Sequence, residues 1–230
     1  SVENIGRITC ICSDKTGTMT LGELQLTHLE PANGTSEEAL LQLARAASRP
    51  QTGDPFDVAI ERAAAAATSR QKLVFDALET FPFTEERRRE TVVARTTGGA
   101  AWAATKGSPE TILDLCVSTE AERRSWLDRV EGLAEDGHKV LACASRPIAG
   151  GDWPGGEPDR GFAFAGLLAC EDPVRDGVPE AVAECLAAGI RVIVVTGDHP
   201  GTARAVARAI GLGGGDPRIW THDAPDEDRQ

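Results

Sequence analysis

Two apolar runs, one near each end of the chain, constrain its fold more than any other feature. Residues 5–13 read IGRITCICS and residues 190–195 read IRVIVV. Both are short, continuous and rich in β-branched side chains. Each stops at a polar, glycine-containing loop, DKTGTMT at 14–20 and TGD at 196–198. Alternation vanishes from a strand when neither of its faces meets water, so such runs beside helical patterns predict a parallel sheet covered on both sides. Ligands bind at the carboxyl edge of sheets of this kind. The two loops are therefore expected on one edge, with Thr196 and Asp198 near Asp14.

The chain between these runs has a different character. SEEALLQLARAAS at 36–48 has apolar positions at helical spacing behind a serine cap, and the alanine-rich 56–70 predicts a second helix. PQTGDP at 50–55 reads as a loop. Strands are expected over 73–83, 91–97 and 100–106, with Gly98-Gly99 as a hairpin turn. Helices follow over 109–117 and 120–136, then a strand over 139–146. The Gly- and Pro-rich segment 149–161 reads as a loop between domains. After it come a continuous apolar run at 162–169, a helix over 178–189, the strand 190–195 and a helix over 201–212. The tail from Gly213 is polar and expected to fray. The fold class is therefore α/β: an α+β domain, 23–160, inserted into a parallel α/β domain made of 1–22 and 161–230.

Composition narrows the function. Lys and Arg number 24 against 36 Asp and Glu, a formal net charge of −12. An acidic surface argues against binding nucleic-acid backbones, so no nucleic-acid partner is expected. No run approaches the roughly 18 apolar residues of a membrane span. The start, SVENIGRITC, lacks the basic and apolar pattern of a signal peptide. Most of the six cysteines sit in apolar runs, which suits buried reduced thiols better than disulfides. Cys10-x-Cys12 has no CxxC or paired histidine to complete a metal site. His28, His138, His199 and His222 show no ligand spacing. Asn33-Gly34 reads as a turn.

Asp14, at the end of a buried strand, has the chemistry of a nucleophile for phosphoryl transfer: its carboxylate can form an aspartyl phosphate. Lys15, loop amides and threonine hydroxyls can stabilise phosphate oxygens. Mg²⁺ is wanted, because an anionic nucleophile must approach an anionic phosphate.

DKTGTMT resembles the phosphorylation signature of P-type ATPases, the ion-pumping membrane ATPases, whose usual form is DKTGTLT. Five other segments extend the likeness along the chain. KGSPE at 106–110 resembles KGAPE, and FPFTEERRRETVV at 81–93 resembles FPF-x-S-x-RKRMSVV. GDP at 53–55 followed by Asp57 resembles GDPTE. DPVR at 172–175 resembles DPPR, and TGDH at 196–199 matches TGDH. The last two forms look most like the calcium-pump-like branch.

The resemblance implies a nucleotide-binding domain inserted into part of a haloacid-dehalogenase-like phosphorylation domain, with ATP and Mg²⁺ as cofactors. Asp14 would be phosphorylated, and Asp14 with the Thr16 carbonyl would hold Mg²⁺. The Thr16 side chain, Thr196 and Gly197 would hold the phosphoryl group, with Asp198 in support. Phe83 would stack on adenine, an interaction worth roughly 1–3 kcal/mol. Lys106 and Gly107 would line the same pocket, Asp57 would meet the adenine amino group, and Arg88 and Lys139 would be basic nucleotide contacts. Arg175 is either a phosphate-side contact or a surface salt bridge. The parent would couple ATP hydrolysis to cation transport at the cytoplasmic face of a membrane. The cation would be bound by membrane helices, and an actuator domain would be a further partner.

Two departures matter. Thr16 stands where related soluble phosphatases carry an acid/base aspartate, and a threonine hydroxyl cannot do that work near neutral pH. An aspartyl phosphate here is expected to persist, which favours a pump over a phosphatase. Nothing after Gly213 resembles the family's GDGxNDxPAL motif, and no TGES-bearing actuator or membrane helix is present. The chain reads as an excised fragment of little activity alone, its partial sheet exposing an edge or apolar surface. The alternatives are a soluble haloacid-dehalogenase-like phosphatase and a non-catalytic ATP-binding module.

Overall fold

The computed structural model describes residues 8–67, 74–96, 98–148, 153, 155–198 and 200–220. The expected element ends at 5–7, 68–70, 73 and 97, loop residues 149–152 and 154, His199, and the tail 221–230 with His222 lie outside the described residues. The chain forms two compact units: residues 1–23, 134–138 and 172–230, and residues 24–133 and 139–171.

In the first unit, β1 (Cys10–Asp14) pairs in parallel with β8 (Arg191–Val195), Asp14 opposite Val195. Val192 and Val194 pack with Met19, Val182, Val206 and Ile210, which come from the loop after β1 and from α5 (Val178–Ala187) and α6 (Pro200–Ala209) and its end. Period-two alternation puts Cys12, Ile193 and Val195 on the other face. Ile193 is 46% and Val195 58% exposed. The covering expected on both faces is thus present on one among the described residues, and Cys12 is exposed rather than buried.

The second unit is built on a six-stranded antiparallel sheet in the order β2-β7-β6-β5-β4-β3. Its strands are β2 (Gln25–Pro31), β3 (Phe75–Phe81), β4 (Arg89–Thr96), β5 (Ala101–Gly107), β6 (Lys139–Pro147) and β7 (Ala163–Glu171). The Gly98-Gly99 turn joins β4 and β5 as expected, with Gly99 at φ +83° and its N–H on the Thr96 carbonyl. Asn33-Gly34 is likewise a turn, closed by Thr35 N donating to Ala32 O.

Helices cover both faces of this sheet. α1 (Glu37–Ala46), capped by Ser36 Oγ accepting from Ala39 N, and α2 (Pro55–Ala66) supply Leu40, Leu41, Ala44 and Ile60 to one face, against Cys143, Ala165 and Leu168. α3 (Pro109–Leu115) and α4 (Glu120–Glu135) supply Ile112, Leu115, Trp126 and Val130 to the other, against Ala142, Ala144, Phe162 and Leu167.

This three-layer arrangement corrects the expected partition. The apolar run at 162–169 is antiparallel β7, not a strand of the parallel sheet, and belongs to the second unit. Being covered on both faces, β7 shows the same unbroken apolar run as a parallel core strand. The described part of 149–161 therefore joins β6 to β7 within one sheet instead of bridging domains. β2 was not expected: its polar LTHLEP composition and terminal proline hide an edge strand. Cys143 and Cys170 are buried free thiols, each pushed by burial to a pKa of about 12. No described helix is long and apolar enough to cross a membrane.

Candidate functional site

The second unit carries a cleft of about 610 Å³, within the usual range for small-molecule sites. Sequence explains why its walls lie where they do. Gly53 takes a left-handed φ of +77°, Asp54 caps α2 by accepting from Phe56 N (3.0 Å) and Asp57 N (3.2 Å), and Pro55 fills the first helical position. This brings Asp54 and Phe56 to the cleft and turns Asp57 inward. The turn before β4 adds Phe83, Glu85 and Arg88; the end of β5 adds Lys106 and Gly107; β6 adds Val140 and Leu141. Phe83 is 53% exposed, its ring open to a stacking partner.

Beneath the cleft lies a closed ring of charges. Lys106 Nζ sits 2.7 Å from Asp57 Oδ1 and 3.0 Å from Glu90 Oε2. Glu90 Oε1 accepts from Arg49 Nε, and Asp57 Oδ2 accepts from Arg49 N at 2.8 Å. Lys106, Asp57 and Glu90 are all buried. Two cations meet two carboxylates, so the ring is balanced. Burial pushes the Lys106 pKa down, but the charges of Asp57 and Glu90 and their hydrogen bonds outweigh this and hold it above the ordinary 10.5.

A lysine whose pKa is raised on folding contributes stability in full below its unfolded value and loses that contribution as pH rises through the folded value. The second unit is therefore expected to lose stability above about pH 10.5 more steeply in wild type than in Lys106→Met. Urea-unfolding midpoints at pH 9 and pH 11.5 check this. The chain contains no tyrosine to obscure the readout.

Of the expected nucleotide residues, Phe83, Arg88, Lys106 and Gly107 come together at this cleft. Asp57 does not face it: the carboxylate expected to meet an adenine amino group is buried and spent on Lys106 and Arg49 N. Lys139, at the exposed start of β6, is not part of the lining, which takes Val140 and Leu141 instead. Glu90 and Arg49 were missed. A signal for Glu90 exists, since it stands where the FPF-x-S-x-RKRMSVV pattern has methionine. Arg49 carries none.

In the first unit, the β1–β8 pairing brings Asp14 and the 196–198 loop to one edge. Asp14 is exposed, and its carboxylate has no partner among the described residues. Lys15 is 1% exposed, with Nζ 2.5 Å from Asp198 Oδ2. It ties the two loops together instead of facing solvent as a phosphate contact would. Asp198 N donates to Thr196 Oγ1 at 3.1 Å. The chain passes Thr16 in an extended conformation and turns at Gly17, φ +75°.

A clamp from 172–175 fixes this loop. The Thr20 hydroxyl donates to Asp172 Oδ2 at 2.5 Å, while Asp172 Oδ1 accepts from Gly22 N (2.8 Å) and Glu23 N (3.2 Å). Arg175 donates to the carbonyls of Thr20 (2.8 Å) and Gly17 (2.9 Å). Among the described residues it forms no salt bridge and braces these loop carbonyls. Thr20 is fully buried. Asp172→Ala is expected to cost the first unit about 1–2 kcal/mol, the scale of losing bonds to a charged group, because water can replace the carboxylate at the exposed Gly22 and Glu23 amides and the Thr20 hydroxyl retains the Lys15 carbonyl at 3.2 Å. Urea unfolding at pH 7 measures this, and Asp172→Asn should lose less.

A sequence profile described as P-type ATPase, cytoplasmic domain N, matches residues 1–177. The chain belongs to the P-type ATPase family. Among related P-type ATPases, a protein of Methanocaldococcus jannaschii named as a cation-transporting ATPase is 33% identical, over 93% of this chain and 25% of its own length. Calcium-transporting ATPase 1 of Bacillus cereus is 28% identical, over 92% of this chain and 27% of its own. The sodium/potassium-transporting ATPase subunit alpha-B of Artemia franciscana is 29% identical over the same shares. The chain therefore spans about a quarter of the length of the curated relatives it matches.

Proposed function

We propose that this chain is the ATP-binding and phosphorylation region of a cation-transporting P-type ATPase. The observation that carries the reading is the Asp14 carboxylate at the end of β1, unpartnered among the described residues and opposite Val195, which leads into the 196–198 loop. Family membership supports it. The first unit is the partial haloacid-dehalogenase-like phosphorylation domain, and the second is the nucleotide domain. ATP lies in the cleft with its base against Phe83, its edge at Lys106 and Gly107, and an anionic group at Arg88.

A carboxylate oxygen of Asp14 forms the new bond to the γ-phosphorus as the bond to the β–γ bridging oxygen breaks, and ADP leaves with that electron pair. Thr196, Gly197 and the Thr16 side chain hold the transferred group. Lys15 and Asp198 fix the distance between the loops. Among the described residues no group of three or more His, Cys, Asp and Glu could hold a metal alone. The Asp14 carboxylate and Thr16 carbonyl are hard oxygen donors, which suit Mg²⁺ when nucleotide phosphates complete its shell. Bound there, Mg²⁺ offsets the repulsion between carboxylate and phosphate. With threonine at position 16 the aspartyl phosphate lacks a general base for its hydrolysis and persists.

In the parent, the phosphoenzyme drives cation movement through membrane helices with an actuator domain as partner, and this region lies on the cytoplasmic face. The DPVR form supports a calcium-pump-like branch, although relatives are named for calcium and for sodium and potassium alike.

Calorimetric titration with ATP, with and without Mg²⁺, tests the reading. Saturable binding is expected, weakened about tenfold by Phe83→Ala through lost stacking and retained in Asp14→Asn. A folded chain that ignores millimolar ATP overturns it. Turnover of p-nitrophenyl phosphate through Asp14 would point to the phosphatase instead.

A further inference from the structure

Arg87, Arg88 and Arg89 are consecutive and chemically equal, yet only Arg88 lines the cleft. The other two converge on one carboxylate. Glu157, in the connection from β6 to β7, accepts from Arg87 Nη1 at 2.6 Å, from Arg89 Nε at 2.9 Å and from Thr91 Oγ1 at 2.8 Å. Arg89 and Thr91 are two apart on β4 and so share a face. Arg88 and Glu90 take the opposite side, toward the cleft. Arg88 itself has a φ of +49°, a left-handed conformation that an L residue with a side chain keeps only when its surroundings impose it. That turn brings Arg87 to the carboxylate already holding Arg89. Among the described residues the Arg88 guanidinium has no partner.

We infer that Glu157 is a positioning residue for the cleft: by holding Arg87 and Arg89 together, it makes Arg88 the arginine that meets an anionic group of the ligand. A slip of one residue would exchange these faces, seating Arg88 on Glu157 and aiming its neighbours at the cleft. Burial pushes the Glu157 carboxyl up, but the bonds from Arg89, Thr91 and Arg87 outweigh it and hold the group below the ordinary carboxylate range. Glu157 is thus ionised at neutral pH and able to bind both guanidinium groups. The inference rests on the reading that this cleft takes a nucleotide.

A double-mutant cycle on the whole chain, read as ATP affinity by calorimetry, tests it. Glu157→Gln keeps the shape and removes the charge. It is expected to weaken ATP binding about tenfold, the scale of one charge-assisted contact. In an Arg88→Gln background the same change is expected to weaken binding less than twofold, because the residue through which Glu157 acts is already gone. If affinity is unchanged in Glu157→Gln, or falls equally in both backgrounds, Glu157 does not act through Arg88 and the inference is overturned while the nucleotide reading stands. If wild type binds no ATP, the nucleotide reading falls and takes the inference with it. Should Glu157→Gln not fold, Arg87→Gln removes one arm of the same contact, and the same coupling to Arg88 is required.

Discussion

Lys106→Met is expected to destabilise the second unit by about 3–5 kcal/mol, the scale of breaking a buried ion pair by removing one partner. The lysine holds Asp57 and Glu90, which are 1% and 3% exposed. Without it, two buried carboxylates face each other with only Arg49 between them. One or both must take up a proton or draw in water, and the cleft floor opens. Glu90→Met makes the contrast. It puts a methionine where the family pattern has one, takes one of two carboxylates from Lys106 but leaves it paired with Asp57, and frees Arg49, whose side chain is already 30% exposed. Its cost is expected to be about 1 kcal/mol. Urea unfolding of the variants, with ATP affinity measured alongside, decides the matter. Equal losses for the two substitutions would mean that the ring is not centred on Lys106.

Gly107→Ala is expected to be nearly as damaging although it adds one methyl group. A Cβ at this position would lie 2.3 Å from the Arg88 carbonyl oxygen and 2.8 Å from Arg89 Cα. Both are backbone atoms, and neither can rotate away. Gly107 lies opposite Arg89 in the β4–β5 ladder, and Ser108 N donates to Arg88 O at 3.0 Å, so relief requires the two strands to part where they form the cleft. A loss of about 3 kcal/mol is expected, the upper end of overpacking costs, together with loss of ATP binding. A thermal scan and a titration on one sample check it. An alanine variant with wild-type stability and affinity would show that the strands yield without cost. The glycine of KGSPE is thus explained by the close approach of a neighbouring strand, independently of any ligand.

Much of this protein was determined by local sequence. The DKTGT loop behind an apolar strand, the serine cap of α1 and the Gly-Gly hairpin follow from turn chemistry and periodicity within a few residues, and each formed as those rules require. Phe83, Arg88, Lys106 and Gly107, which come from two separate motifs, line one cleft.

Tertiary structure decided what depends on partners distant in sequence. An apolar run records burial on both faces but not the direction of its neighbours, so 162–169 read as a parallel strand and folded as antiparallel β7. A carboxylate's role depends on which cation reaches it. Asp57 became a support for Lys106, Asp172 a loop clamp, and Glu157 the anchor of two arginines. Lys15 turned inward because Asp198, brought beside it by the β1–β8 pairing, compensates its charge out of water. Sequence supplied the charged groups, and long-range pairing chose which of them remain open to a ligand.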